Sequence, residues 1–145
     1  MNVLSLCDEK SAIVPQNATV EDAVKVMNAC HVGAVVVADD NGRLAGIFTE
    51  RDVLVKFALS GRTAKEILVR DLMTTPAHTA SDQISPGEAL SVMIERHFRH
   101  LPIVDAAGRV LGILSIRDLL QWRADDLSHE LNSLEQYYSN DSLGG

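Results

Sequence analysis

Two heptapeptides hold the residues that could do chemistry in this chain. The first is Gly46-Ile47-Phe48-Thr49-Glu50-Arg51-Asp52, and the second, 66 residues later, is Gly112-Ile113-Leu114-Ser115-Ile116-Arg117-Asp118. Each sets a hydroxyl, a guanidinium and a carboxylate within four residues, where an apolar strand gives way to a helix. A helix N-terminus presents unpaired N–H groups and a partial positive charge, which suits a phosphate. An arginine in the first turn opposes that dipole, so its double occurrence points to an anion nearby. An ionised carboxylate only accepts hydrogen bonds and suits the vicinal hydroxyls of a ribose. A glycine ahead of the strand lets a flat ring approach the backbone. Together these features describe a nucleotide site. A plainer reading is open at the same residues. Thr49…Asp52 and Ser115…Asp118, like Thr19…Asp22 and Ser85…Glu88, have capping-box spacing, in which hydroxyl and acid serve only the first helical turn.

The elements that must position these residues also occur twice. Sliding the chain by the same offset pairs residues 16–54 with 82–120 without a gap, and Ala23, Val26, Met27, His31, Asp39, Gly42, Arg43 and Leu54 also meet identical residues. In the first copy, Val14-Pro15 reads as extended. Thr19 caps a helix with Val20, Ala23, Val24, Met27 and Cys30 as its apolar stripe, which Gly33 can end. Ala34–Ala38 is a β-branched strand, Asp39-Asp40-Asn41-Gly42 a turn, and Leu44–Phe48 the returning strand. Thr49 opens a helix to about Leu59, with Val53, Leu54 and Phe57 facing inward. A connector, 62–78, holds one short helix near Ile67–Met73.

The second copy repeats the plan. Ser85-Pro86-Gly87-Glu88 starts a helix with Ala89, Leu90, Met93, Ile94 and His97 on its stripe. Leu101–Val104 and Val110–Leu114 are strands, and Pro102 predicts an edge strand or a strand start. The last helix begins at Ser115. Leu120, Leu127, Leu131, Leu134 and Tyr138 follow heptad spacing with one gap at Ala124. A helix packed along its own domain accounts for this, and a second subunit is the alternative. The tail, 139–145, is expected to fray. The fold class is therefore α/β (α+β): two helix-strand-strand-helix repeats related by a pseudo-twofold axis, since neither buries its sheet alone. The expected divisions are 1–61, 62–122 and 123–145.

Composition narrows the function classes. A net charge of −7 argues against a nucleic-acid partner. With 46% hydrophobic and only 4% aromatic residues the core must be aliphatic. Neither Cys7 nor Cys30 has metal-ligand spacing, and no transmembrane run or basic leader is present, so a cytoplasmic protein is expected. No residues supply an activated nucleophile or a paired acid and base, so no catalytic role and no metal are expected.

The repeated motif at 46–52 and 112–118 and Arg99-His100-Leu101-Pro102-Ile103-Val104-Asp105, with the helix-to-strand stretch around Val20–Met27 and Val35–Val37, closely resemble the cystathionine-β-synthase (CBS) domain. The tandem pair resembles a Bateman module over residues 12–122. The resemblance implies regulatory binding of an adenosine compound such as AMP, ADP or ATP, with no required cofactor. It implies that Asp52 and Asp118 hold ribose hydroxyls, that Thr49 and Ser115 face ribose or phosphate, and that Ile47 and Ile113 line adenine slots. The extended segments around Ile13-Val14 and Thr79-Ala80 would add backbone contacts. Arg51 and Arg117 complete the motifs, and Thr79, Arg99 and His100 fall in the neighbourhood of the second, which is expected to bind more tightly. The connector, Thr74-Thr75-Pro76-Ala77-His78-Thr79-Ala80, departs from the family's usual Met-Thr-Pro run. The resemblance also implies a homodimer through helix faces, with Val53-Leu54-Phe57 and Leu119-Leu120 as candidates, and a separate regulated enzyme or transporter. The alternative is a ligand-free structural module for dimerisation or partner binding.

Overall fold

The computed structural model describes residues 2–7 and 12–144, with side chains to 138. After a 3-10 turn, Val3–Leu6, the first copy runs β1 (Ile13–Pro15), α1 (Val20–Cys30), β2 (Ala34–Ala38), β3 (Leu44–Thr49) and α2 (Glu50–Asp52), continued as a π-helical segment Val53–Phe57. The connector carries α3 (Val69–Leu72). The second copy runs β4 (Ala80–Ser81), α4 (Pro86–Arg96), β5 (His100–Val104), β6 (Val110–Ser115) and α5 (Ile116–Gly144). Each copy builds a three-stranded sheet, β1-β2-β3 or β4-β5-β6, in which the short first strand runs parallel to the second and the third returns antiparallel.

Local chemistry explains the starts and turns. Thr19 and Asp22 form a reciprocal capping box at α1, and the Ser85 hydroxyl accepts from the Glu88 N–H with Pro86 in the first turn of α4. The Asp39 carboxylate accepts from the Asn41 and Arg43 N–H groups at 2.8 and 3.0 Å, and Asp105 repeats the bracket on Ala107 and Arg109 at 2.9 Å.

The two turns meet on the local twofold axis. Arg43 and Arg109 form an antiparallel bridge, with Leu44 N–H donating to Gly108 O and Val110 N–H donating to Gly42 O, both at 3.1 Å. Equivalent residues of the copies thus bond reciprocally. Two aliphatic clusters lie behind the sheets, one on Val20, Val35–Val37 and Phe48, the other on Met93, Leu101, Ile103, Leu114 and Leu119. Ile113 of the second copy joins the first cluster, so the copies share a seam.

The leading helical turns cross over. The Val3–Leu6 turn precedes the first copy but packs in the second cluster with Cys7. Its counterpart α3 precedes the second copy and packs in the first cluster. Met73 and Cys7 stand at equivalent positions over Gly46 and Gly112. A Cβ on Gly46 would lie 2.7 Å from Met73 Sδ and 2.9 Å from Thr74 O. The absent side chain therefore makes room for the connector, whose Thr74 backbone exchanges two hydrogen bonds with Ile47, and not for a ring as the sequence led one to expect.

Several expectations are corrected here. α1 and α4 end not at glycine but at His31 and His97, with left-handed φ of 55° and 61°. Histidine is among the residues enriched there, and His97 is an exposed cap, not part of the apolar stripe. Gly33 instead gives space to the Glu50 carboxylate, 3.1 Å from where its Cβ would stand.

Pro102 lies in the central strand of its sheet, not at an edge. The equivalent Val36 N–H bonds to Ala12 O on the β1 side. Pro102 lacks that donor, and β4 is correspondingly cut to two residues, paired only with Ile103 and Val104.

Leu54 points outward at 72% exposure, because the π-helical segment rotates the face the α-helical period predicts. Leu119 is buried in the second cluster and unavailable as a dimer contact. The leucine stripe of α5 is exposed along the chain's own helix instead of packed against its domain. The helix also continues to Gly144 where fraying was expected, with Gly145 outside the described residues. Among the described residues no helix is long and apolar enough to cross a membrane.

Candidate functional site

Each motif borders a cavity whose opposite wall comes from the other copy, as the twofold requires. The first cavity, about 210 Å³, is lined by Ile47 and Thr49, by Thr74, Pro76, Ala77 and His78 of the connector, and by Phe98, Arg99, His100 and Pro102. The second, about 390 Å³, is lined by Ile113, Ser115, Arg117, Asp118 and Gln121, and by Cys30, His31 and Val32 from the end of α1, with His100. Small-molecule sites span roughly 300–1,000 Å³, so only the second reaches nucleoside size.

The two aspartates differ more than their sequences. Asp52 is 5% exposed and does not line the first cavity. Its Oδ2 accepts from the Thr49 N–H at 3.0 Å and the Thr49 hydroxyl at 3.2 Å, while the Asp52 N–H donates back to Thr49 Oγ1. Its Oδ1 accepts from the Thr74 hydroxyl at 3.0 Å and pairs with Lys56 Nζ at 3.1 Å. Lys56 is tethered in turn to Leu72 O at 3.1 Å. Both carboxylate oxygens are thus saturated from within. Thr74, Lys56 and Asp52 lock connector, π-helical segment and cap together.

Asp118 is half-buried and lines the second cavity. Its Oδ2 accepts from the Ser115 N–H at 3.1 Å, and its N–H donates to Ser115 Oγ at 3.0 Å. Among the described residues no lysine and no connector hydroxyl reaches it, so Oδ1 retains its acceptor capacity. The capping role and an outward role are compatible at this residue.

The other expected site residues divide between the cavities. Ile47 and Thr49 line the first; Ile113, Ser115 and Arg117 line the second; His100 borders both. Arg99 lines the first cavity and not the second, a correction to its expected grouping: across the twofold, the start of β5 faces the other copy's motif. Arg51 is exposed and lines neither. Val14 is buried in the first core, paired with Val37, and Thr79 is exposed ahead of β4; neither borders these cavities.

The sequence reading missed the facing walls, Cys30-His31-Val32 and Phe98. Val32 and Phe98 stand at equivalent positions of the two copies, so the repeat register held that part of the signal. It also missed His78, which stacks on Phe98 with ring centres 5.1 Å apart, and Lys56.

His100 sits between the cavities. Burial pushes its imidazole below the ordinary value of 6.5, Glu50 and Asp118 pull it back up, and Arg99 adds to the lowering. The folded value lies below the unfolded one, so the unfolded chain binds the proton first as pH falls. This contribution to stability is present above the unfolded value and is lost as pH falls through the folded one. Melting curves at about pH 7.5 and about pH 5.5 check this. The acid-induced drop should be larger in the native chain than in His100→Gln, and equal drops would assign the acid sensitivity to other groups.

Comparison with known proteins follows the same duplication. The family model for the CBS domain matches residues 3–58 and again residues 69–125. An uncharacterized protein of Methanopyrus kandleri is 36% identical over 107 residues, covering 74% of this chain and 54% of that protein. The chain therefore spans about half the length of that relative. The structure of a putative signal-transduction protein with CBS domains from Burkholderia ambifaria has a TM-score of 0.73 at 33% identity, covering 87% of this chain and 96% of that one. The structure of CBSX2 in complex with AMP has a TM-score of 0.71 at 26% identity, covering 86% and 96%. With two matches in register with the repeat and a shared fold, the chain belongs to the CBS-domain family and carries two CBS domains in tandem.

Proposed function

We propose that this chain is a regulatory sensor that binds an adenine nucleotide, AMP, ADP or ATP, in the second cavity between its two CBS domains. One observation carries the reading: Asp118, one of whose carboxylate oxygens takes no hydrogen bond from the described residues, shares that cavity with Ser115, Arg117 and Ile113. The carboxylate suits ribose hydroxyls, the arginine a phosphate, and the isoleucine one face of a base. CBSX2, a structural relative, was solved with AMP. In the first copy the equivalent carboxylate is spent on its own backbone, Thr74 and Lys56, which favours a structural role there.

The sensor acts without catalysing a reaction, on a separate enzyme or transporter, as a homodimer in the cytoplasm. The acidic composition and the absence of a membrane-crossing helix among the described residues fit that setting. Titration calorimetry with AMP, ADP, ATP and CMP tests the assignment. The expected result is one site per chain for at least one adenine nucleotide and no heat with CMP. No heat, and no rise in melting temperature at millimolar adenine nucleotide, would leave the structural reading.

A further inference from the structure

Among the described residues the outer part of α5 has no packing partner. From Arg123 to Tyr138 every side chain except Asp126 is exposed. A single helix of that length is marginal in water, and its stability normally comes from packing an apolar face. The face exists: Leu120, Leu127, Leu131, Leu134 and Tyr138, each 47–67% exposed, with Ala124 filling the remaining seam position. Steps of four and three alternate along it without interruption, the a/d pattern of a two-helix coil.

We propose that this seam pairs with α5 of a second copy of the chain, running antiparallel. The proposal rests on the homodimer reading above and specifies its contact. Centred at His129, an antiparallel pair sets Leu127 against Leu131, Ala124 against Leu134, and Leu120 against Tyr138, so every seam residue meets another. The small residue then faces a large one, and the layers interdigitate. A parallel pair would stack Ala124 on Ala124 and Tyr138 on Tyr138, leaving a gap at one level and crowding at the other. Charge points the same way. In parallel, Glu130 would face Glu135 of the other helix twice, whereas antiparallel pairing sets Glu135 near Gln121 and leaves a single Glu130–Glu130 approach. The Arg123–Asp126 ion pair, 3.0 Å within one helix, lies beside the seam and is undisturbed.

Light scattering and cysteine cross-linking of the full chain test this. The expected results are a dimeric mass at micromolar concentration, a monomeric mass for Leu127→Glu/Leu131→Glu with an unchanged AMP titration, and an oxidative cross-link in Ser128→Cys but not in Leu134→Cys or the native chain. A monomeric native chain would overturn both the coil and the homodimer. A dimeric double variant would overturn the coil alone. Cross-linking of Leu134→Cys without Ser128→Cys would show a parallel pair and overturn the register. None of these outcomes bears on nucleotide binding, which calorimetry reports separately.

Discussion

Asp118→Ala should weaken AMP binding by about tenfold to a hundredfold, while Asp52→Ala leaves it unchanged within about twofold. Hydrogen bonds to a charged group are worth about 1.5–3 kcal/mol, and each 1.4 kcal/mol is a factor of ten in affinity. Asp118 borders the nucleoside-sized cavity with one oxygen unclaimed by any described residue, so a ribose would gain those bonds there. Asp52 lines no such space and has no acceptor capacity left to offer. Calorimetry on both variants at one salt concentration makes the comparison. Alanine at 118 also removes an acceptor from the Ser115 N–H, a capping loss of about 1 kcal/mol that a melting curve of the ligand-free variant registers separately. Equal losses of affinity would mean that the first motif reaches the ligand as well as the second.

The parts of the fold legible in the sequence are those fixed by nearest neighbours. Thr19 and Ser85 mark helix starts because a cap is a contact across three residues. The Asp39 and Asp105 turns are equally local, and the duplication itself needed no physics beyond comparison. What escaped were consequences of the second copy's presence. Arg99 cannot be assigned to a motif without knowing that each domain's strand start faces its partner's motif, a fact of the twofold at Arg43 and Arg109. Pro102 is tolerated in a central strand only because its neighbour β4 stops short of it. The left-handed histidines at the ends of α1 and α4 occur at matched positions, but Gly33, two residues past the first, offers the commoner helix stop and draws the assignment away from His31.

At the candidate site, the capping and binding readings of the motif look alike in sequence because both use the same carboxylate. They separate only when its second oxygen is followed into space. At Asp52 it meets Thr74 and Lys56, residues 22 positions later and four later in the chain. At Asp118 no described residue bonds to it, and the side chain borders open cavities instead. Two motifs that share Gly, Ile, Arg and Asp in register therefore differ in how the aspartate is bonded, through residues outside the motif.

That divergence makes Asp52 a stability residue, and Asp52→Ala should cost about 3 kcal/mol of unfolding free energy while sparing the second cavity. Loss of the cap at α2 accounts for about 1 kcal/mol. The remainder comes from the Thr49 and Thr74 hydroxyls, left without their carboxylate acceptor in a part-buried setting, at about 1–3 kcal/mol together. The Lys56 pair adds little of its own, because the lysine side chain is 40% exposed and can turn to water. Chemical denaturation of the ligand-free chain measures the cost, with Lys56→Ala as the comparison, expected to lose no more than about 1 kcal/mol. The connector should loosen in step, since Thr74 ties it to the cap, and faster amide exchange at Thr74 and Ile47 would report this. If Asp52→Ala were instead as stable as the native chain, the carboxylate would be dispensable to the fold, and its burial would have to be explained by a ligand.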